Sequence, residues 1–129
     1  MARIAHIAVK VEDLNQAAEF YENVFGFAST GKSRSPDRSR RSLSDGEINL
    51  TLLRYDSEDA AMATAAGQGP CIHHFAIEVE DVEKSVAQVR EFGCEILSDP
   101  RKPPVKFRAP GGPIVEIVPQ GRYPKRQTV

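Results

Sequence analysis

Tryptophan is absent from the 129 residues, and cysteine occurs only as Cys71 and Cys94. Two cysteines without CxxC spacing set aside a disulfide framework. No stretch of the sequence approaches the ~18 apolar residues that a membrane-spanning helix requires. The opening Met-Ala-Arg-Ile-Ala-His has no signal-peptide h-region, so a cytoplasmic protein with no membrane partner is expected. An excess of charge of one sign is missing too. Seventeen basic residues against eighteen acidic ones leave a formal charge of -1, which offers no global pull toward nucleic acid. Nor is there a phosphate-cradling glycine loop. Pro110-Gly111-Gly112-Pro113 is a tight turn without P-loop spacing. No Ser-His-Asp arrangement can be assembled from the pattern. What is present is a soluble balance of 40% hydrophobic and 27% charged residues, enough for one domain with its own core.

The charge is unevenly placed. Residues 32–44 carry Lys32, Arg34, Arg38, Arg40 and Arg41 against Asp37 alone. Residues 101–129 carry Arg101, Lys102, Lys106, Arg108, Arg122, Lys125 and Arg126 against Glu116 alone. Such segments either attract an anionic small molecule or form solvated loops and a frayed tail.

The chain repeats itself. Ile4-Ala5-His6-Ile7-Ala8-Val9-Lys10-Val11-Glu12-Asp13 returns, 68 residues on, as Ile72-His73-His74-Phe75-Ala76-Ile77-Glu78-Val79-Glu80-Asp81. Each copy is a strand pattern that runs into a helical one. The first helix is predicted after Asp13, an N-cap with Gln16 three residues on, and it ends at Gly26. Leu14, Ala17, Ala18, Tyr21, Val24 and Phe25 form its apolar stripe. The second follows Asp81, with Val82, Val86, Val89 and Phe92 as its stripe and Gly93 as its stop. Lys84 stands where a capping-box carboxylate would, a weaker start. Three short strands are predicted after each helix, near 27–31, 40–44 and 47–53, then near 94–98, 105–109 and 114–118. A short helix is predicted over 58–66. The expected fold is thus α+β, one domain over 1–129. Strand–helix–strand–strand–strand modules 1–53 and 71–119 are joined by a linker 54–70 and followed by a tail 120–129. Neither module buries its sheet face well alone, so the two should pack as a mostly antiparallel sheet with helices on one side.

Period two then sorts the side chains. Ile7, Val9 and Val11 share one face and His6, Ala8 and Lys10 the other. In the repeat Phe75, Ile77 and Val79 oppose His74, Ala76 and Glu78, and alternation turns His73 away from His74, to pack or bond rather than ligate. Asn49, Thr51 and Leu53 fall opposite Ile48, Leu50 and Leu52, and Glu116 falls opposite Val115 and Ile117. His6 and His74 occupy equivalent positions, each followed by a small alanine two residues on, so their face should be concave. Two imidazoles and a carboxylate, Glu116, make a set suited to Fe(II) and related divalent ions, or to zinc with open positions.

The stretches IAHIAVKVEDLNQAAEFYENVFGF, DGEINLTLL, IHHFAIEVEDVEKSVAQVREFG and APGGPIVEIV resemble the vicinal oxygen chelate superfamily. Its members include glyoxalase I, methylmalonyl-CoA epimerase, extradiol dioxygenases and fosfomycin or bleomycin resistance proteins. The resemblance implies two modules around a U-shaped metal cup, with His6, His74 and Glu116 matching ligand positions. Asn49 stands where the resemblance places a fourth ligand, commonly Glu, Gln or His. It also implies a homodimer, with the cup formed within one chain or across two.

The chemistry expected of one divalent ion (Zn, Ni, Co, Mn or Fe) in this setting is proton abstraction beside a carbonyl, by a lyase or isomerase working through an enediolate-like intermediate. Glu116 is the first candidate base. Glu78 and Lys10, two strand steps further along the same face, are second-tier candidates. Two alternatives remain at this point: Fe(II) extradiol-type oxygen chemistry, and a non-catalytic protein that sequesters a small, anionic or aromatic ligand.

Overall fold

The computed structural model describes residues 1–125. Arg126, counted in the second basic stretch, lies outside them. The elements run β1 (Arg3–Lys10), α1 (Leu14–Phe25), β2 (Ala28–Ser35), β3 (Arg38–Ser44), β4 (Asn49–Tyr55), β5 (Cys71–Val79), α2 (Val82–Phe92), β6 (Val105–Arg108) and β7 (Ile114–Pro119). All seven strands join one sheet in the order β2-β3-β4-β1-β5-β7-β6. The two copies of the repeat, β1 and β5, meet at its centre as antiparallel neighbours. Each then takes the last strand of its own module as a parallel neighbour, β4 beside β1 and β7 beside β5.

Local chemistry sets the helix ends. The Asp13 and Asp81 side chains each accept an N–H bond, from Gln16 and Lys84, at 3.0 Å. The second cap is therefore as well formed as the first. A backbone N–H at the third helical position suffices, and Lys84 needs no carboxylate to supply it. Gly26 and Gly93 end the helices with φ of 72° and 105°, a left-handed turn that a β-carbon disfavours.

Each helix covers its own half of one sheet face. Around α1, Ala18 packs with Leu43 and Leu52, flanked by Val9, Leu14, Tyr21, Phe27 and Leu50. Around α2, Val86 packs with Val79, Val105, Phe107, Val115 and Ile117. The helical stripes are shorter than their periodicity suggests. Val24, Phe25 and Phe92 are 59%, 61% and 78% exposed, because the last turn of each helix overhangs the sheet.

Three expected elements differ. Residues 94–98 are not a strand but a single bridge, Ile96 to Phe107. The Ser98 hydroxyl accepts the Lys106 N–H at 2.8 Å in place of a ladder partner, and Asp99 then turns the chain by accepting from the Arg101 N–H at 2.9 Å. Residues 58–66 form successive turns instead of a helix, with N–H bonds from Ala63 to Ala60 and from Gly67 to Thr64. The Lys10 ammonium holds two carbonyls of this segment, those of Ala63 and Gly67, at 2.5 and 3.0 Å. Finally, most of 32–44 is not a solvated loop but the β2–β3 hairpin.

Candidate functional site

The face of the sheet opposite the helices is concave and holds a cavity of about 460 Å³. Alternation along β1 puts His6 and Ala8 on this face, both buried, and His6 lines the cavity. Ala8 lies opposite His74 and His6 opposite Ala76, so the two small side chains leave room for the two imidazoles to converge within one chain. On the far side Ala76 is level with Glu116. The result is a buried cluster. His6 Nε2 lies 3.3 Å from His74 Nε2, and His74 Nε2 lies 3.3 Å from Glu116 Oε1. One potential ligand atom from each of the three falls within 4.8 Å of the others.

The hydrogen bonds behind the rings decide which nitrogens carry protons. The Met62 carbonyl can only accept, so His73 Nε2, 2.7 Å away, is its N–H donor. A neutral His73 then offers a lone pair at Nδ1. His74 Nδ1, 2.7 Å from it, must donate. That leaves the His74 Nε2 lone pair facing His6 and Glu116. Likewise Asn49 Oδ1 lies 2.6 Å from His6 Nδ1 and also accepts from the Thr51 hydroxyl at 2.7 Å. This fixes the His6 proton on Nδ1 and turns its Nε2 lone pair inward. Two imidazole lone pairs and a carboxylate oxygen thus point at one another, an arrangement that a cation relieves. Bonds of ~2.1 Å to a single ion hold neighbouring donors ~3.0–3.4 Å apart; the two 3.3 Å separations fit that range, and the wider His6–Glu116 pair, within 4.8 Å, has to close to meet it.

The electrostatics agree. Burial pushes the His6 imidazole down from 6.5 to about 4, keeping it neutral. Burial would raise the Glu116 carboxyl, but the neighbouring donors and positive charge, the Lys106 ammonium among them, outweigh it and hold the group at about 2. Lys106 Nζ lies 3.0 Å from Glu116 Oε2, which leaves Oε1 turned toward His74. Tyr123 stacks on His6 with ring centroids 4.3 Å apart. Burial raises its phenol above the usual range, so it stays protonated.

Three sequence expectations need correcting. His73 does not turn away from His74. The β1–β5 register shifts between Ala8 and Val9, and their partners His74 and Ile72 leave His73 as an extra residue. This bulge buries both imidazoles together. Glu78 and Lys10 do not stand further along the cavity face. Antiparallel pairing sets Glu78 opposite Arg3, which it engages at 3.3 Å, and Lys10 opposite Cys71 at the other end of the strand pair. Neither is among the residues lining the cavity. Asn49 stands behind His6, and the β4 residues that reach the cavity are Thr51, Leu53 and Tyr55. Sequence reasoning also missed Tyr123, Tyr55 and Met62 at the wall. No periodic signal marks them, since they lie in the tail, at a strand end and in the linker.

The fold agrees with the comparisons. Residues 3–113 match the model of the Glyoxalase/Bleomycin resistance protein/Dioxygenase superfamily, and the chain belongs to that superfamily. Its relatives include mitochondrial methylmalonyl-CoA epimerase of Bos taurus, 30% identical over 129 residues, which span 91% of this chain and 74% of that protein. Lactoylglutathione lyase GLX1 of Arabidopsis thaliana is 29% identical over 95% of this chain and 46% of its own length. Among solved structures, a variant of Streptomyces coelicolor methylmalonyl-CoA epimerase in complex with 2-nitronate-propionyl-CoA matches with a TM-score of 0.75 and 26% identity over 98% of each chain. A hypothetical protein from Bacillus halodurans shares the fold with a TM-score of 0.79 at 23% identity, over 99% of this chain and 98% of that one. The enzymes named here are an isomerase and a lyase.

Proposed function

We propose that the protein is a metal-dependent isomerase or lyase of the glyoxalase/epimerase type. It removes a proton beside the carbonyl of a small substrate and passes through an enediolate-like intermediate. The observation that carries this reading is the convergence of the His6 and His74 Nε2 lone pairs and the Glu116 carboxylate at the floor of one cavity. These three side chains are the proposed holders of one divalent ion (Zn, Ni, Co, Mn or Fe). Such an ion supplies positive charge that polarises a carbonyl oxygen and so acidifies the neighbouring C–H.

The chain's own groups do the rest. Glu116 is both a holder and the proposed base. Its Oε2, held by Lys106 rather than turned toward His74, is the oxygen proposed to take up the proton as the Lys106 contact gives way, and the ammonium re-forms that contact when the proton leaves again. The protonated phenol of Tyr123, packed on His6, offers a donor beside the developing oxyanion. Glu78, occupied by Arg3, has no part in this scheme. The relatives support an isomerase or lyase over the oxygenase alternative. We further read the protein as a cytoplasmic homodimer. Light scattering tests the homodimer.

The deciding experiment is metal analysis with solvent exchange. Purified protein is expected to hold about one divalent ion per chain and to exchange the α-proton of a carbonyl substrate such as methylmalonyl-CoA with deuterium oxide. His6→Ala and His74→Ala are expected to lose the ion. Full occupancy in both variants rejects the reading. Oxygen consumption with catechols but no exchange transfers the protein to the oxygenase class. Tight ligand binding with neither assigns it a sequestering role.

A further inference from the structure

The cavity wall is strongly cationic. Arg38 and Arg40 from β3, Lys106 from β6 and Arg122 from the tail all line it, and Glu116 is the one acidic side chain among the lining residues. Two of these cations are already answered. Lys106 holds Glu116, and Arg38 holds Asp37 at 2.9 Å while lying over the Tyr55 ring, 5.5 Å from its centroid. Arg40 is not. Its guanidinium reaches only neutral oxygens, Ser33 Oγ at 3.4 Å and Ser35 Oγ at 2.5 Å. Among the described residues no carboxylate lies within ion-pair distance of it. The side chain is half-buried, and partial burial together with the Arg38 charge disfavours its protonated form. A guanidinium does not shed its proton in proteins, so that penalty persists until an anion arrives. Its planar fork matches two oxygens of a carboxylate or phosphate.

The other arginines of the hairpin show the contrast. Arg34 pairs with Asp56 and Arg41 with Glu22. Arg40 thus joins an inward position to the lack of an acidic partner.

We propose that the cup takes a substrate carrying a carboxylate or phosphate group that docks on Arg40, flanked by Arg38, while the substrate's carbonyl faces His6, His74 and Glu116. This rests on the metal-centre reading for the carbonyl end only. The anion seat stands on the β3 geometry by itself. It narrows the substrate to an acid with two functional ends, a carbonyl to be activated and an anionic handle that fixes which C–H meets the base.

The test uses chelator-treated full-length protein, so that no metal contributes, and titrates malonate and inorganic phosphate separately by calorimetry. The two arms tell a carboxylate handle from a phosphate one. Wild-type protein is expected to bind at least one probe, more weakly as salt rises. Arg40→Gln is expected to lose at least tenfold in affinity, Arg40→Lys to fall between the two, and Lys32→Gln, exposed on β2, to match wild type. If Arg40→Gln fails to fold, Arg40→Lys decides, because a fork seat requires it to bind more weakly. Wild-type protein that binds neither probe, or arginine variants that bind as wild type does, overturn the proposal. A metal titration on the same samples separates the two readings. Metal bound without anion binding removes only the anion seat, and Arg40-dependent anion binding without metal removes only the metal centre.

Discussion

His74 Nδ1 lies 2.7 Å from His73 Nδ1, and of two nitrogens at that distance one carries the shared hydrogen. The Met62 carbonyl, 2.7 Å from His73 Nε2, decides which. By accepting from His73 it makes His73 the acceptor toward His74, and so exposes the His74 Nε2 lone pair to the cup. A backbone oxygen in the linker thereby sets the tautomer of a proposed metal holder through an intervening imidazole. Partners of this kind, behind a ligand, are worth ~10–100-fold in metal affinity. His73→Phe is expected to weaken zinc binding by about that factor in a chelator competition. His73→Asn, whose amide oxygen stands near the lost Nδ1, is expected to recover part of it. Nitrogen chemical shifts of His74 in metal-free protein read the tautomer directly. Unchanged affinity and tautomer in His73→Phe would show that the relay has no role.

Asn49 plays the same part for His6. Its Oδ1, 2.6 Å from His6 Nδ1, is a positioning group rather than a ligand, because β4 places it behind the imidazole. Asn49→Leu removes the acceptor and strands a buried N–H, at a cost of about 1–3 kcal/mol. The expected result is a lower urea midpoint together with weaker zinc binding. If Asn49 were itself a ligand, Asn49→Asp would bind zinc more tightly with no change in the His6 tautomer. The tautomer measurement therefore separates the two roles.

Acid should destabilise the metal-free protein in two adjoining windows. His6 titrates at about 4 when folded against 6.5 unfolded, chiefly through burial. Between those values the unfolded chain binds the extra proton, so stability falls as pH drops from 6.5 toward 4 and is constant above 6.5. One such group contributes at most ~1.4 kcal/mol per pH unit. Glu116 is held at about 2 against 4.5, so its contribution is present above 4.5 and is lost as pH falls toward 2. Urea unfolding of chelator-treated protein from pH 7 to pH 4 is expected to show a loss of roughly 2–3 kcal/mol, and His6→Gln is expected to flatten that slope. An equal slope in His6→Gln would mean that another group carries it.

The parts of this molecule that repeat are legible in the sequence, and the parts that deviate from the repeat are not. The 68-residue offset pairs His6 with His74, and alternation alone puts them on the face opposite Ile7 and Phe75. Asp13, Asp81, Gly26 and Gly93 mark both helices to within a residue. Period two misplaces His73 because it assumes an unbroken ladder, and a one-residue bulge inverts it locally. It misplaces Glu78 because the direction of β5 against β1 is a tertiary fact. Tyr123 and Arg40 carry no signal of their own. Whether a basic or aromatic residue in a hairpin or tail turns inward depends on where the sheet curves, which neither composition nor spacing records.

The linker supplies the last expectation. Lys10 is 4% exposed, an unusual depth for an ammonium. It is satisfied by the carbonyls of Ala63 and Gly67 and by Glu58 at 3.4 Å. Ala63 directly follows Met62, whose carbonyl orients His73, so the ammonium anchors the same stretch of chain that sets the His74 tautomer. Lys10→Met keeps the stem but leaves two carbonyls without their donor, a loss of about 1–3 kcal/mol. Limited proteolysis is expected to shift into residues 54–70, and zinc affinity is expected to fall although Lys10 lies outside the cup. Stability lost with zinc affinity intact would instead show that the Met62–His73 contact holds its place without the lysine.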